Sequence, residues 1–273
     1  MKGNRFIWND SSGRASGDNP AVKETFQPIA FPGEHKIDNA GSAAEKKGAD
    51  KLDEGKRLFG LGLWDKALQE FLLVDAGNCG VEERTDVAYY MGLCCAKLER
   101  FDDALLYFEQ VVTAGGDVLR AYQCRMTIAY IYVKTSRPKM AEFELNRLKS
   151  LGFESASLYN TLAYAAYAQK HYKRAIDFYE KTLDIDQNNA TALNSMGYIL
   201  ADMGIDVSKG LRYCRKAVNI KPDNAAYLDS LGWAHYKCGD MADAQNWLRR
   251  AADIAPHVKE IMEHYKAVSR EAL

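Results

Sequence analysis

The stretches "NTLAY" at 160–164, "NSMGY" at 194–198 and "DSLGW" at 229–233 write one pattern three times. Each sets an amide or carboxylate four residues ahead of an aromatic, with a small residue directly before that aromatic. Their first residues, Asn160, Asn194 and Asp229, are 34 and then 35 residues apart. A pattern that returns at this interval marks a repeat architecture, in which each copy is one supersecondary unit.

The small residues extend the pattern in both directions. Gly55, Gly92, Ala129, Ala163, Gly197 and Gly232 form one series; Ala67, Ala104, Ala141, Ala175, Gly210 and Ala244 form a second. The offset between them is 12 residues in every unit except the fifth, where it is 13. Units then start at 48, 85, 122, 156, 190 and 225. Between the two small positions stand "LGLW", "LERF", "TSRP", "QKHY", "MGID" and "CGDM". Several carry Gly or Pro, which interrupt helices. Each unit therefore reads as helix–turn–helix, with two antiparallel helices crossing closely at the small residues. Bulkier side chains, Phe71, Phe108, Leu145, Tyr179 and Leu248, fill the second helix beyond the crossing. Pro222 and Pro256 stand where the second helices of the last two units should end.

This register resembles the tetratricopeptide repeat (TPR) family over about residues 48–256. "YLDSLGWAHYKCGDMADAQNWLRRAADIAP" at 227–256 is close to that family's pattern, and "LYNTLAYAAYAQKHYKRAIDFYEKTLDID" and "YYMGLCCAKLERFDDALLYFEQVV" match it well. The resemblance implies an all-α, right-handed superhelix of six helix pairs: 48–84, 85–121, 122–155, 156–189, 190–224 and 225–256. Three units depart from the pattern. The first has Lys51 and Glu54 where the family prefers apolar residues, as a partly exposed N-terminal cap would. The third lacks the first-helix Gly and has Pro138 in its turn. The fifth carries the extra residue and Gly210 in place of Ala.

The ends differ from the array. Residues 1–47 hold Gly, Ser, Asn, Asp and three of the six prolines without a sustained period, and read as a flexible tail. Within it "FQPIAFPG" at 26–33 is apolar enough to dock. Residues 257–273 read as one capping helix, with Val258, Ile261, Met262 and Tyr265 on a single stripe; repeat arrays need such a lid.

In the family, first helices line the inner face of the superhelix. The resemblance therefore places three columns there: Leu52, Tyr89, Met126, Asn160, Asn194 and Asp229; then Lys56, Leu93, Tyr130, Tyr164, Tyr198 and Trp233; then Phe59, Ala96, Val133, Tyr167, Ala201 and Tyr236. The expected partner-binding groove is Leu52, Phe59, Tyr89, Leu93, Met126, Tyr130, Asn160, Tyr164, Tyr167, Asn194, Tyr198, Asp229, Trp233 and Tyr236. Asn donates to and accepts from a peptide backbone; Tyr and Trp offer large contact area at small entropic cost. The competing reading is that these rings pack between neighbouring first helices. The ninth positions include no Asn, so the carboxylate clamp of the chaperone-binding subclass is not expected. Lys97 and Lys134 fall near the rim of the groove.

Lys and Arg total 36 against 37 Asp and Glu, a formal charge of −1. That balance gives no global reason to seek nucleic acid or an anionic membrane. No apolar run approaches a spanning helix, and the first residues lack the apolar core of a secretory signal; the expectation is a cytoplasmic protein. The six cysteines form no C-x-x-C pair or zinc-ligand spacing and read as small core residues. There is no phosphate loop, nucleophile elbow or H-E-x-x-H. His257 and His264, seven apart, lack the usual helical metal-ligand spacing. The expected function is a non-catalytic scaffold without cofactor or metal that grips a protein or peptide segment. Two alternatives stand beside it: a self-associating or autoinhibited array with 1–47 docked in its groove, and an accessory subunit of an enzyme or of a secretion or assembly complex.

Overall fold

The computed structural model of the chain describes residues 43–75, 77 and 79–271. The expected tail lies outside them up to residue 42; residues 43–47, assigned to it from sequence, belong to the first helix instead. The described residues fall into two compact units, 43–152 and 153–271. Both are built of helices alone.

The first unit contains three antiparallel pairs: α1 (Ala43–Gly60) with α2 (Trp64–Leu72), α3 (Val81–Lys97) with α4 (Phe101–Ala114), and α5 (Val118–Lys134) with α6 (Pro138–Ser150). The second contains α7 (Ala156–Ala168) with α8 (Tyr172–Ile185), α9 (Ala190–Asp202) with α10 (Val207–Ile220), and α11 (Ala225–Lys237) with α12 (Met241–Ile254). A last helix, α13 (Lys259–Glu271), follows. First helices have 18, 17 and 17 residues in the first unit and 13 in each pair of the second.

The helix starts have local causes. Asp117 caps α5 by accepting from the amides of Leu119 and Arg120. Ser155, Asn189 and Asn224 each accept from the third amide of α7, α9 and α11. Such caps satisfy donors that the first turn leaves open, at about 1 kcal/mol each. Pro138, expected in a turn, is instead the first residue of α6, where its missing N–H costs nothing. The second helices α10 and α12 end at Ile220 and Ile254, each two residues before a proline.

The turns inside the six pairs share one geometry. A residue with positive φ sits at the same place in each: Gly62, Glu99, Ser136, Lys170, Gly204 and Gly239. The next amide then bonds back five residues, from Leu63 to Leu58, Arg100 to Cys95, Arg137 to Tyr132, His171 to Ala166, Ile205 to Leu200 and Asp240 to His235. This closure satisfies carbonyls that the helix end would leave open. The extra residue of the fifth repeat lies here: the turn 203–206 has four residues where the others have three.

The small residues work differently from a simple small-against-small crossing. Gly55 lies beneath the ring of Phe71, and a Cβ on Gly92 would stand 2.8 Å from the ring of Phe108. A Cβ on Gly232 would stand 2.7 Å from Leu248. Phe71, Phe108, Leu145, Tyr179 and Leu248 are fully buried. The glycine thus makes the hole, and the large residue of the second helix is the knob that fills it. Only the fifth repeat brings two glycines together, Gly197 and Gly210.

The capping helix packs as the sequence implied. Ile261 and Val268 are fully buried, with Val258, Met262 and Tyr265 in the same apolar clusters.

Candidate functional site

The fourteen expected groove residues divide by burial. Leu52, Tyr89, Leu93, Asn160, Tyr167, Asn194, Tyr198 and Asp229 are buried. Phe59, Met126, Tyr130, Tyr164, Trp233 and Tyr236 are half-buried. None of the fourteen is fully exposed.

In the first unit the face is tied together by charge. Lys56 Nζ lies 2.9 Å from Asp86 Oδ2, and Arg120 pairs with the other oxygen of the same carboxylate. This links α1, α3 and α5. The Tyr89 hydroxyl donates to Gln123 Oε1 at 2.8 Å. Phe59 and Tyr90 meet edge to face with centroids 5.6 Å apart. Asp86 and Arg120 were not singled out from sequence, although they stand 34 residues apart, one repeat interval. Lys51, in the cap expected to be partly exposed, is half-buried and pairs with Glu70 at 2.7 Å. Lys97 sits over the Trp64 ring at 5.8 Å rather than alone on the rim.

In the second unit the polar column behaves in two ways. Asn160 and Asn194 are 9% and 4% exposed, and the Oδ1 of each has no hydrogen-bond partner. A buried acceptor left open costs about 1–3 kcal/mol. Asp229, only 1% exposed, is matched: His264 Nδ1 of α13 lies 2.9 and 3.0 Å from its two oxygens. The same imidazole stacks on Trp233, with centroids 4.1 Å apart and planes 18° from parallel, and lies 6.4 Å from the ring of Tyr198. Trp233 Nε1 donates to Asp202 Oδ1 at 2.9 Å, and Lys237 pairs with Asp202 at 3.4 Å.

His264 was read from sequence only as an unsuitable metal ligand. The signal that finds it is the register: it stands 35 residues beyond Asp229 and continues the series Asn160, Asn194, Asp229. Burial pushes the Asp229 carboxyl up despite the hydrogen bond and charge of His264. Burial pulls the His264 imidazole down, but the hydrogen bond and charge of Asp229, joined by Asp202 and Glu260, more than reverse that. Its net shift is upward. Burial raises the phenols of Tyr167 and Tyr198, so both stay neutral.

Four of the six cysteines occupy apolar core sites as expected; Cys79 is only half-buried and Cys238 is exposed. Cys94, Cys95, Cys124 and Cys214 are buried, and burial raises every one of these thiols, Cys94 to about 12. A thiol in that range is not a thiolate nucleophile at neutral pH. Among the described residues, His235, Asp240 and Asp243 bring three ligand-type atoms within 4.8 Å of one another. His235 Nδ1 is 3.1 Å from Asp240 Oδ2, while Asp240 Oδ1 accepts from the amide of Asp243. The cluster braces the α11–α12 turn. No described helix is long and apolar enough to cross a membrane.

Comparison with known proteins agrees with this architecture. A family model described as "Tetratricopeptide repeat" matches residues 156–189, and a second so described matches 224–255. The chain is similar to a TPR repeat-containing protein of Pseudomonas aeruginosa (PA4667), 38% identical over 81 residues. That match covers 28% of this chain and 14% of the relative's length. Three solved structures share the fold. The Cut9–Hcn1 hetero-tetramer of the APC/C superposes with a TM-score of 0.69 at 12% identity, over 82% of this chain and 43% of the other. A tetratricopeptide repeat protein from Parabacteroides merdae gives 0.61 at 11%, over 81% and 84%. YrrB, described as "a TPR protein with an unusual peptide-binding site", gives 0.50 at 18%, over 66% and 91%.

Proposed function

We propose that this chain, whose repeats match the tetratricopeptide-repeat models at 156–189 and 224–255, is a non-catalytic scaffold whose first-helix face in the unit 153–271 holds an extended segment of a partner protein. One observation carries the reading. Asn160 and Asn194 stand at the same repeat position, 34 residues apart, each with a buried Oδ1 that accepts nothing. Native proteins leave few such groups open. Both oxygens are enclosed in the free chain, so a ligand meets them when the two side chains turn outward; two equivalent unmet acceptors then suit a ligand that supplies N–H donors at repeated intervals, which a peptide backbone does. Half-buried Tyr164 stands one turn beyond Asn160 and supplies an apolar wall with a polar tip. The arrangement reads backbone more than side chains, as a scaffold for a flexible segment requires.

A photocrosslinking amino acid at position 164 tests this. The probes are peptides selected from a random-sequence display library on the full chain. Crosslinking of a selected peptide at 164, blocked by excess unlabelled peptide, supports the reading. Crosslinking only to the chain's own residues 26–33 favours the self-docked alternative. Crosslinking at neither, with peptide still bound, places the site elsewhere.

A further inference from the structure

The continuation of the polar column into α13 has a regulatory consequence. His264 is the fourth member of the series Asn160, Asn194, Asp229, but it lies on the last helix and is the member of a residue type whose ordinary titration range spans neutrality. Its imidazole occupies a seat made by two earlier helices: Asp229 and Trp233 of α11, and Tyr198 of α9. We propose that α13 is a pH-sensitive latch at the end of the first-helix face. Protonated His264 holds the helix closed over Asp229 and Trp233; loss of that proton loosens it and opens the pair to a ligand. What the opening does for a ligand rests on the function proposed above; the latch itself does not.

The charges around the imidazole favour this direction. From α11 comes Asp229, fully buried. From α9 comes Asp202, whose own charge is shared with Trp233 Nε1 and Lys237. From α13 itself comes Glu260. α12 contributes Arg249, which borders a cavity beside Tyr265 and Ser269; His264 does not line that cavity. The seat is thus net acidic and favours imidazolium. A neutral imidazole still donates from Nδ1, but a charge-assisted hydrogen bond is roughly twice as strong as a neutral one. Its loss leaves the Asp229 carboxylate buried without an opposite charge, which is unfavourable. Ile261 and Val268, the fully buried side chains of α13, carry no titratable group.

The linkage has a definite sign. His264 is raised above its ordinary 6.5 in the closed helix. A raised group contributes stability that is fully present below the open-state value and is lost as pH rises through the closed-state value. Asp229 is also raised, so it acts in the same direction. The opening constant of α13 should therefore grow above pH 6.5 by up to tenfold per pH unit, and level off beyond the closed-state value.

Hydrogen exchange of the full chain without ligand, corrected for intrinsic rates and followed from about pH 5.5 to 9 across the His titration range, reads this directly. Protection in residues 259–271 should fall with pH, while the core of α9 stays protected. His264→Gln keeps a donor without a titrating charge and should flatten the profile; His257→Gln should leave it unchanged. A pH-independent α13 in the wild type, or the same slope in His264→Gln, overturns the proposal. If His264→Gln does not fold, NMR titration of the wild-type ring decides. A midpoint above 6.5 supports the latch, and one at or below it sinks it.

Discussion

Gly197 and Gly210 face each other where α9 crosses α10. A Cβ on Gly197 would stand 2.9 Å from the Gly210 carbonyl oxygen, and one on Gly210 would stand 2.7 Å from the carbonyl oxygen of Gly197. Two effects oppose each other in Gly210→Ala. Helix propensity favours the alanine by about 1 kcal/mol. The added methyl meets backbone, which cannot swing aside, and forcing the helices apart costs about 1–3 kcal/mol or more. The clash should win, and the variant should lose stability in a denaturant titration. Gly60→Ala, at the end of α1 where nothing lies within 4 Å, is the control and should be unchanged or gain up to about 1 kcal/mol from propensity alone. A stabilised Gly210→Ala would show that this crossing has slack.

The turn of the fourth repeat is strained by its residue type. Lys170 has a φ of +63°, in a position that Gly62, Gly204 and Gly239 fill in other repeats. A side chain in that region costs about 1–2 kcal/mol, and glycine gives back part of the gain through the unfolded chain. Lys170→Gly should therefore stabilise the protein by about 0.5–1 kcal/mol. An unchanged or lower melting temperature would mean that the lysine earns its place through contacts.

Much of the architecture was legible because it repeats. The glycines, the knobs Phe71, Phe108 and Leu248, and the prolines after α10 and α12 recur or fall at fixed offsets, and local chemistry suffices to place them. Glu99, Ser136 and Lys170 were not legible as left-handed residues, since their types carry no such signal and the repeat alone imposes the conformation. α3 and α5 begin earlier than the small-residue register suggests because their caps, Gly80 and Asp117, lie one turn upstream. At the site, the columns could be drawn but burial could not. Asp229 reads as a groove residue until α13 returns to it, and that contact spans 35 residues between chemically unlike partners.

The buried state of Tyr198 reverses a simple expectation for a partner-facing ring. It is 7% exposed, beside His264. Truncating a buried aromatic typically costs about 3–5 kcal/mol, so Tyr198→Ala should lower stability markedly. Tyr164→Ala, at a half-buried position, should cost clearly less. Equal losses in thermal melts would mean that the two rings share one environment.

The open acceptors give the sharpest separation between binding and folding. Neither Asn160 Oδ1 nor Asn194 Oδ1 has a hydrogen bond to lose in the free chain. Asn160→Ala with Asn194→Ala should therefore leave the melting temperature nearly intact, and removal of two buried open acceptors offsets the small voids created. A bound peptide that donates to both loses two hydrogen bonds in the variant. At about 0.5–1.5 kcal/mol each, the sum of about 1–3 kcal/mol corresponds to roughly five- to 150-fold in affinity. Calorimetric titration with a peptide selected on the wild-type chain should show that drop while the melting curve stays in place. Unchanged affinity would remove the asparagines from the binding surface. A collapse in melting with normal affinity would make them packing residues, as the competing reading of the columns holds.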